Sequence, residues 1–215
     1  MKNPELVIIV GAGPGVGTAV AKAFALKGHP IHLISRSAEN LEKLAIDIRA
    51  TGVAVTTATA DAAIPGDVAR AIGEISAPVD ALVYNSAAFG GPLLAASPEE
   101  IRSASEVNLY SLISATRAAL PRLKQSSGAV LVTGGGFALY PSSDYGILSL
   151  GKAMVRSAAL LLAQELKPQG VHVATITICG TVAPGTPFDP DLIAQSYIAA
   201  FENKDGEVET VFTGA

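Results

Sequence analysis

Two rhythms alternate along the chain. Short apolar runs rich in β-branched residues, at 6–10, 31–35, 53–59, 81–84, 129–133 and 171–178, are predicted as strands. Between them, apolar positions return every three or four residues and predict helices at 15–27, 38–50, 64–76, 98–124 with an internal break, and 144–167. The end departs from this alternation: PFDPDLIAQSYIAAF supplies one short helix, followed by a charged turn and a last strand at 208–213. Strand–helix alternation implies right-handed crossovers and a parallel sheet, and near-continuous apolarity of the strands implies helices on both faces. The predicted fold class is a doubly wound α/β sheet, in which ligands sit at the carboxyl ends of the strands. No low-complexity linker divides the chain, so a single domain over residues 1–215 is expected.

Composition narrows the functional classes. With 49% hydrophobic and 16% charged residues, the chain has the make-up of a packed core rather than of disorder. A net charge of −4 disfavours nucleic acid and anionic membranes as partners. The single cysteine, Cys179, excludes an intrachain disulfide and fits a reducing, cytoplasmic setting. His29, His32 and His172 are scattered without ligand spacing, so no metal site is expected. The apolar opening LVIIVGAGPGVGTAVAKAFAL has only Lys2 as a positive charge ahead of it and is interrupted by glycines, so strand, tight turn and helix fit it better than a membrane segment.

The same interruption is the strongest chemical signal in the chain. VIIVGAGPGVGTAV places Gly11, Gly13, Gly15 and Gly17, with Pro14 and Val16 among them, between the first strand and the first helix. Without Cβ atoms the turn lets backbone N–H groups approach a pyrophosphate, and the helix N-terminus adds about half a positive charge. In this context the run predicts a Rossmann-like dinucleotide site. The second strand ends in HLISRSAEN, with no acidic residue to accept from a ribose 2′-OH, whereas Ser35 and Arg36 offer donors to a 2′-phosphate. NADP(H) is therefore favoured over NAD(H), against the plainer reading of Arg36 as a solvated residue ahead of a helix.

The spacing of Gly11, Gly15 and Gly17 resembles the TGxxxGxG fingerprint of the short-chain dehydrogenase/reductase family, with Val10 in place of Thr. LVYNSA is similar to that family's LVNNAG and keeps Asn85 as its second Asn. Asn108, in VNLYSLISATRAALP, matches the active-site Asn, Lys152 matches the lysine of YxxxK, and Asp61 resembles the adenine-side aspartate. In VATITICGTV, Cys179 replaces the Pro of a PG turn and Gly180 keeps the Gly. The resemblance runs from about Leu6 to Val182. It implies a nicotinamide dinucleotide held by the glycine turn, Ser35, Arg36, Asp61, Ala62, Asn85, Ser86, Lys152, Gly180 and Val182. It also implies a small-molecule substrate and a homodimer or homotetramer built on the two long helices that carry Asn108 and Lys152.

In that family a Tyr protonates the substrate oxygen, a Lys one helical turn later lowers the Tyr pKa and holds the nicotinamide ribose, and a Ser orients the carbonyl. Here the Tyr position is Leu148 and the Ser position is Gly135, and neither side chain can move a proton. Lys152 and Asn108 remain as the implied catalytic residues. Tyr145 shares the i, i+3, i+7 spacing with Leu148 and Lys152, although it starts about 4.5 Å farther along the axis than Leu148. It is either a substitute proton donor or an amphipathic residue at the cleft mouth. Thr133 and Cys179 stay open between cleft groups and buried core residues, and the glycines at 134–136 leave room for a ligand or another backbone. The segment 183–206 is expected to form a small lid over a comparatively open cleft.

Two functional readings follow. One is an NADP(H)-dependent oxidoreductase that reduces a small carbonyl-like or imine-like substrate with an altered site, favoured by Lys152 and Asn108. The other is a non-catalytic NADP(H)-binding protein, a redox sensor or assembly subunit, favoured by Leu148 and Gly135. A purely structural role is opposed by the glycine turn.

Overall fold

The apolar runs assemble as β1 (Leu6–Val10), β2 (Ile31–Ser35), β3 (Val55–Thr59), β4 (Val79–Tyr84), β5 (Ala129–Thr133), β6 (His172–Ile178) and β7 (Glu209–Phe212), each within two residues of its expected ends. The computed structural model describes residues 3–215; Met1 and Lys2, the positive charge ahead of the first strand, lie outside the described residues. The strands form one sheet in the order β3-β2-β1-β4-β5-β6-β7. Every pairing is parallel, with β1 flanked by β2 on one side and β4 on the other. The strand order reverses at β1, which opens a crevice between β1 and β4 at their carboxyl ends.

Successive strand side chains point to opposite faces, and each face is covered by helices. Val7 and Ile9 pack with α1 (Val16–Leu26), α2 (Ala38–Arg49) and α7 (Pro190–Glu202) in one core. Ile8 and Val10 belong to the other core, under α3 (Asp67–Gly73), α5 (Ser111–Ser126) and α6 (Gly146–Leu166).

Three elements differ from expectation. The break foreseen in the helix at 98–124 is not a break: α4 (Pro98–Ser105) runs into α5 through a π-helical turn, Glu106–Tyr110. The Tyr84 hydroxyl of β4 donates to the Val107 carbonyl in that turn, which gives a carbonyl displaced by the irregular ladder a buried partner. The helix expected at 144–167 starts two residues later, because a 3-10 turn, Ser143–Tyr145, precedes it.

The third difference concerns the segment 183–206. Its helix, α7, is part of the core: Ile193, Ala194, Tyr197 and Ile198 are buried against α1 and the sheet. Their i, i+1, i+4, i+5 spacing provides an apolar stripe that packs inward, and the cleft lining ends at Val182, ahead of this segment. Among the described residues one helical stretch, 143–169, is long and apolar enough to cross a membrane, and 56% of its most apolar window is buried inside the fold.

Candidate active site

A cleft of about 1410 Å³ runs along the carboxyl ends of the strands, and most of the residues expected to bind a dinucleotide line it. At one end lies the glycine turn. Gly15 has φ +94° and ψ −133°, a conformation open only to glycine, and it starts α1 with no side-chain cap. Ser37, Ser97 and Asp189, by contrast, cap α2, α4 and α7 with their side chains. The first N–H groups of α1 therefore face the cleft without a side-chain acceptor, and the first turn holds no acidic residue. A Cβ at Gly13 or Gly15 would meet no protein atom within 4 Å, so the space in front of the turn is free for an anion to approach the backbone.

Gly17 plays a different part from the one expected. It does not line the cleft: its missing Cβ would stand 2.7 Å from the Gly11 carbonyl oxygen and 3.0 Å from Asn85 Nδ2. It is glycine because α1 packs directly on the turn. Asn85 is likewise a brace, its Nδ2 donating to the Gly11 carbonyl at 3.0 Å and its Oδ1 accepting from the Thr133 hydroxyl at 2.8 Å. Thr133 completes the chain with a 2.6 Å contact to the Tyr197 hydroxyl of α7. Thr133 thus spends its hydroxyl inside the protein, as the core reading of it anticipates.

Ser35 and Arg36 line the cleft at the end of β2, together with Ser37 and Asn40 at the start of α2. Arg36 is exposed, and no carboxylate among the described residues pairs with it. Asp61 and Ala62 follow β3 on the same side, where an Asp61 oxygen accepts from the Ala63 N–H at 2.9 Å and holds the turn closed. Ser86, Gly180 and Val182 complete the expected set on the lining, beside Asn85.

At the other end stands Lys152. Its ammonium is buried and donates to the Thr133 carbonyl at 2.9 Å, and desolvation pushes its pKa down to about 8. A Cβ at Gly135 would lie 3.1–3.2 Å from Lys152 Cγ, Cδ and Cε. The space a side chain would use at that strand end is therefore taken by the lysine stem. The neighbours that crowd Gly134 and Gly136 are Thr177 and Cys179, so the three glycines accommodate the protein's own atoms rather than a ligand.

Leu148 lines the cleft near Lys152, in place of a phenol. Tyr145 also lines it but sits in the turn ahead of α6, with φ −120° and ψ 42°, so the helical-face relation to Lys152 expected from spacing does not hold. Its ring is half exposed and stacks on Phe137, with centroids 5.3 Å apart and planes 27° from parallel. Burial, followed by the Glu209 charge, raises the Cys179 thiol pKa, which keeps it protonated.

Asn108 lies behind the cleft lining. It is fully buried and absent from the cleft lining; its Nδ2 donates to the Ala104 carbonyl at 2.8 Å and its Oδ1 has no protein partner. A Cβ at Gly151 would stand 2.6 Å from its Nδ2, so Asn108 is packed against α6 one residue before Lys152. Sequence reasoning also misses the aromatic side of the cleft, formed by Phe89, Phe137 and Tyr140. Their only signal is the density of rings in an otherwise aromatic-poor sequence, in which Phe, Tyr and Trp make up 5%.

A parallel sheet whose order reverses above a glycine-opened helix, with a crevice at that point, defines an α/β protein of the dinucleotide-binding class. The family model described as short chain dehydrogenase matches residues 5–192, and the chain belongs to that family. It is 33% identical over 185 residues to 3-dehydrosphinganine reductase TSC10B of Arabidopsis thaliana, a match covering 83% of this chain and 56% of the relative. The chain thus spans little more than half the length of that curated relative. Among solved structures, a short-chain dehydrogenase from Sphingobium yanoikuyae in complex with NADPH superposes with a TM-score of 0.84 at 26% identity, covering 96% of this chain and 87% of that one. An alcohol dehydrogenase from the archaeon Thermococcus sibiricus, complexed with 5-hydroxy-NADP, gives 0.85 at 26% identity over 96% and 95% of the two chains.

Proposed function

We propose that the chain is an NADP(H)-dependent oxidoreductase that reduces a carbonyl-like or imine-like substrate. The observation that carries this reading is a single cleft with a helix N-terminus that no side chain caps at one end and a buried lysine at the other. The first suits a pyrophosphate and the second a nicotinamide ribose. Arg36, exposed and without a carboxylate partner beside Ser35, supports a 2′-phosphate and hence NADP(H). The NADPH and 5-hydroxy-NADP carried by the Sphingobium and Thermococcus relatives point the same way.

When bound, the reduced nicotinamide supplies hydride. The chain's own residues do the rest. The glycine turn and α1 hold the phosphates, Asp61 and Ala62 flank the adenine side, and Asn85 keeps the turn rigid through its bonds to Gly11 and Thr133. The Lys152 ammonium commits one N–H to Thr133 and keeps two for a ribose hydroxyl or a substrate oxygen. Leu148 supplies no proton, so charge developing on a substrate oxygen must be met by that ammonium or by the phenol of Tyr145. A protonated imine demands least of this site, because hydride addition to its carbon yields a neutral amine with no further proton.

A second reading, binding without turnover, is favoured by Leu148 and Gly135 at the positions where the family resemblance calls for Tyr and Ser. Incubating the protein with NADPH and a panel of aldehydes, ketones, quinones and imines, and following the absorbance of the reduced nicotinamide, separates the two. Turnover with one of these classes supports the oxidoreductase; saturable NADPH binding with no turnover across the panel supports the sensor and overturns the first reading.

A further inference from the structure

A second, open cavity lies between α4 and the segment that joins it to β4. The segment folds down on the start of α6, where the Ile147 N–H donates to the Gly91 carbonyl at 3.0 Å. Two close approaches seat it there: a Cβ at Gly90 would stand 2.8 Å from the Ile147 side chain, and one at Gly146 would stand 2.9 Å from Leu93. The space between this segment and α4 measures about 360 Å³, within the range of roughly 300–1,000 Å³ typical of ligand pockets. It shares Ala88, Phe89 and Ser103 with the main cleft. Ile147 lines the side cavity and its neighbour Leu148 lines the main cleft, so the two spaces adjoin at the start of α6.

The walls are mixed, with small apolar residues set beside Ser103 and Glu100. Ala88, Gly91, Ala95, Ala96 and Ala104 present small apolar surfaces that leave the volume open, and Ile147 adds a larger apolar side chain. The one charged residue on the lining, Glu100, is engaged in the capping box of α4, where its Oε2 accepts from the Ser97 N–H at 2.8 Å. That bond holds its carboxyl below the ordinary range, so it is an anion at neutral pH. In the main cleft, the stacked rings of Phe137 and Tyr145 offer a flat apolar surface.

We propose that the side cavity is a substrate subsite for an uncharged apolar tail, so that the compound reduced carries a long neutral hydrocarbon group beside its reacting carbon rather than being small. The inference rests on the oxidoreductase reading and narrows it. Burying apolar surface in a preformed cavity rewards each added methylene, whereas an anionic tail end would meet the Glu100 carboxylate.

The test uses alkyl phenyl ketones from acetophenone to octanophenone, titrated calorimetrically into the full chain with and without NADPH, while NADPH affinity is measured separately. The expected result is about a fourfold gain in affinity per methylene until the cavity fills. Heptanophenone should bind more tightly than 7-oxo-7-phenylheptanoate. Ala96→Phe and, independently, Ala95→Phe should flatten the chain-length series while leaving NADPH affinity unchanged. A flat series in the parent protein, or the parent's slope retained in both filled variants, overturns the subsite. Failure of NADPH to bind alongside an intact slope overturns the coenzyme reading and supports the apolar subsite.

Discussion

Lys152 is the most heavily perturbed cation of the site. Burial moves its pKa from 10.5 to about 8, and its hydrogen-bond acceptor among the described residues is the neutral Thr133 carbonyl. The folded chain therefore binds this proton less tightly than the unfolded chain. Stability attributable to the group is flat below about pH 8 and rises as the pH climbs towards 10.5. Lys152→Met should accordingly be more stable than the parent in urea at neutral pH, with the advantage shrinking at alkaline pH, and it should lose reductive turnover. In the parent, reduction should slow as the pH rises through about 8, because the ammonium is lost. A Lys152→Met protein that is less stable at neutral pH and turns over normally would contradict this assignment. The glycine turn and Arg36 are legible in the sequence because their chemistry follows from residue type at the end of a strand or the start of a helix, whereas Lys152 is legible only through its resemblance to the lysine of YxxxK.

Elements are less transparent than residues where packing sets their ends. A helical period shows apolar positions, but it does not reveal the extra residue of the π turn that packs Asn108 against α6. The same turn makes Gly151 a contact position. Gly151→Ala should cost about 1–3 kcal/mol in chemical denaturation, because the added methyl would push Asn108 or shift the helix that carries Lys152. An unchanged denaturation midpoint would mean that the π turn and α6 are not in this close register. Tyr145 shows a related limit, since spacing places it on a helix face that begins one residue later. The apolar stripe of α7 is visible in the sequence, but whether it covers the cleft or the sheet depends on α1, which only the assembled fold brings beside it.

At the scale of the whole molecule, parallel pairing and two-sided helix cover follow from the alternation of apolar periods, so the fold class is the part most fully written in the sequence, while the strand order comes from the assembled sheet. The assembly is a proposal of a different kind. Leu150 and Leu161 on α6 are 41% and 57% exposed, more apolar surface than the core of one copy uses. Light scattering should give a dimer or tetramer built on this helix, and a monomer at micromolar concentrations would contradict it. The central claim is that the cleft holds NADP(H) through the α1 turn and Arg36, and calorimetric titration with NADPH and NADH tests it most directly. The account predicts saturable binding of both, with NADPH tighter by about tenfold or more and the preference lost in Arg36→Glu; no saturable binding of either coenzyme, or tighter binding of NADH, would contradict it.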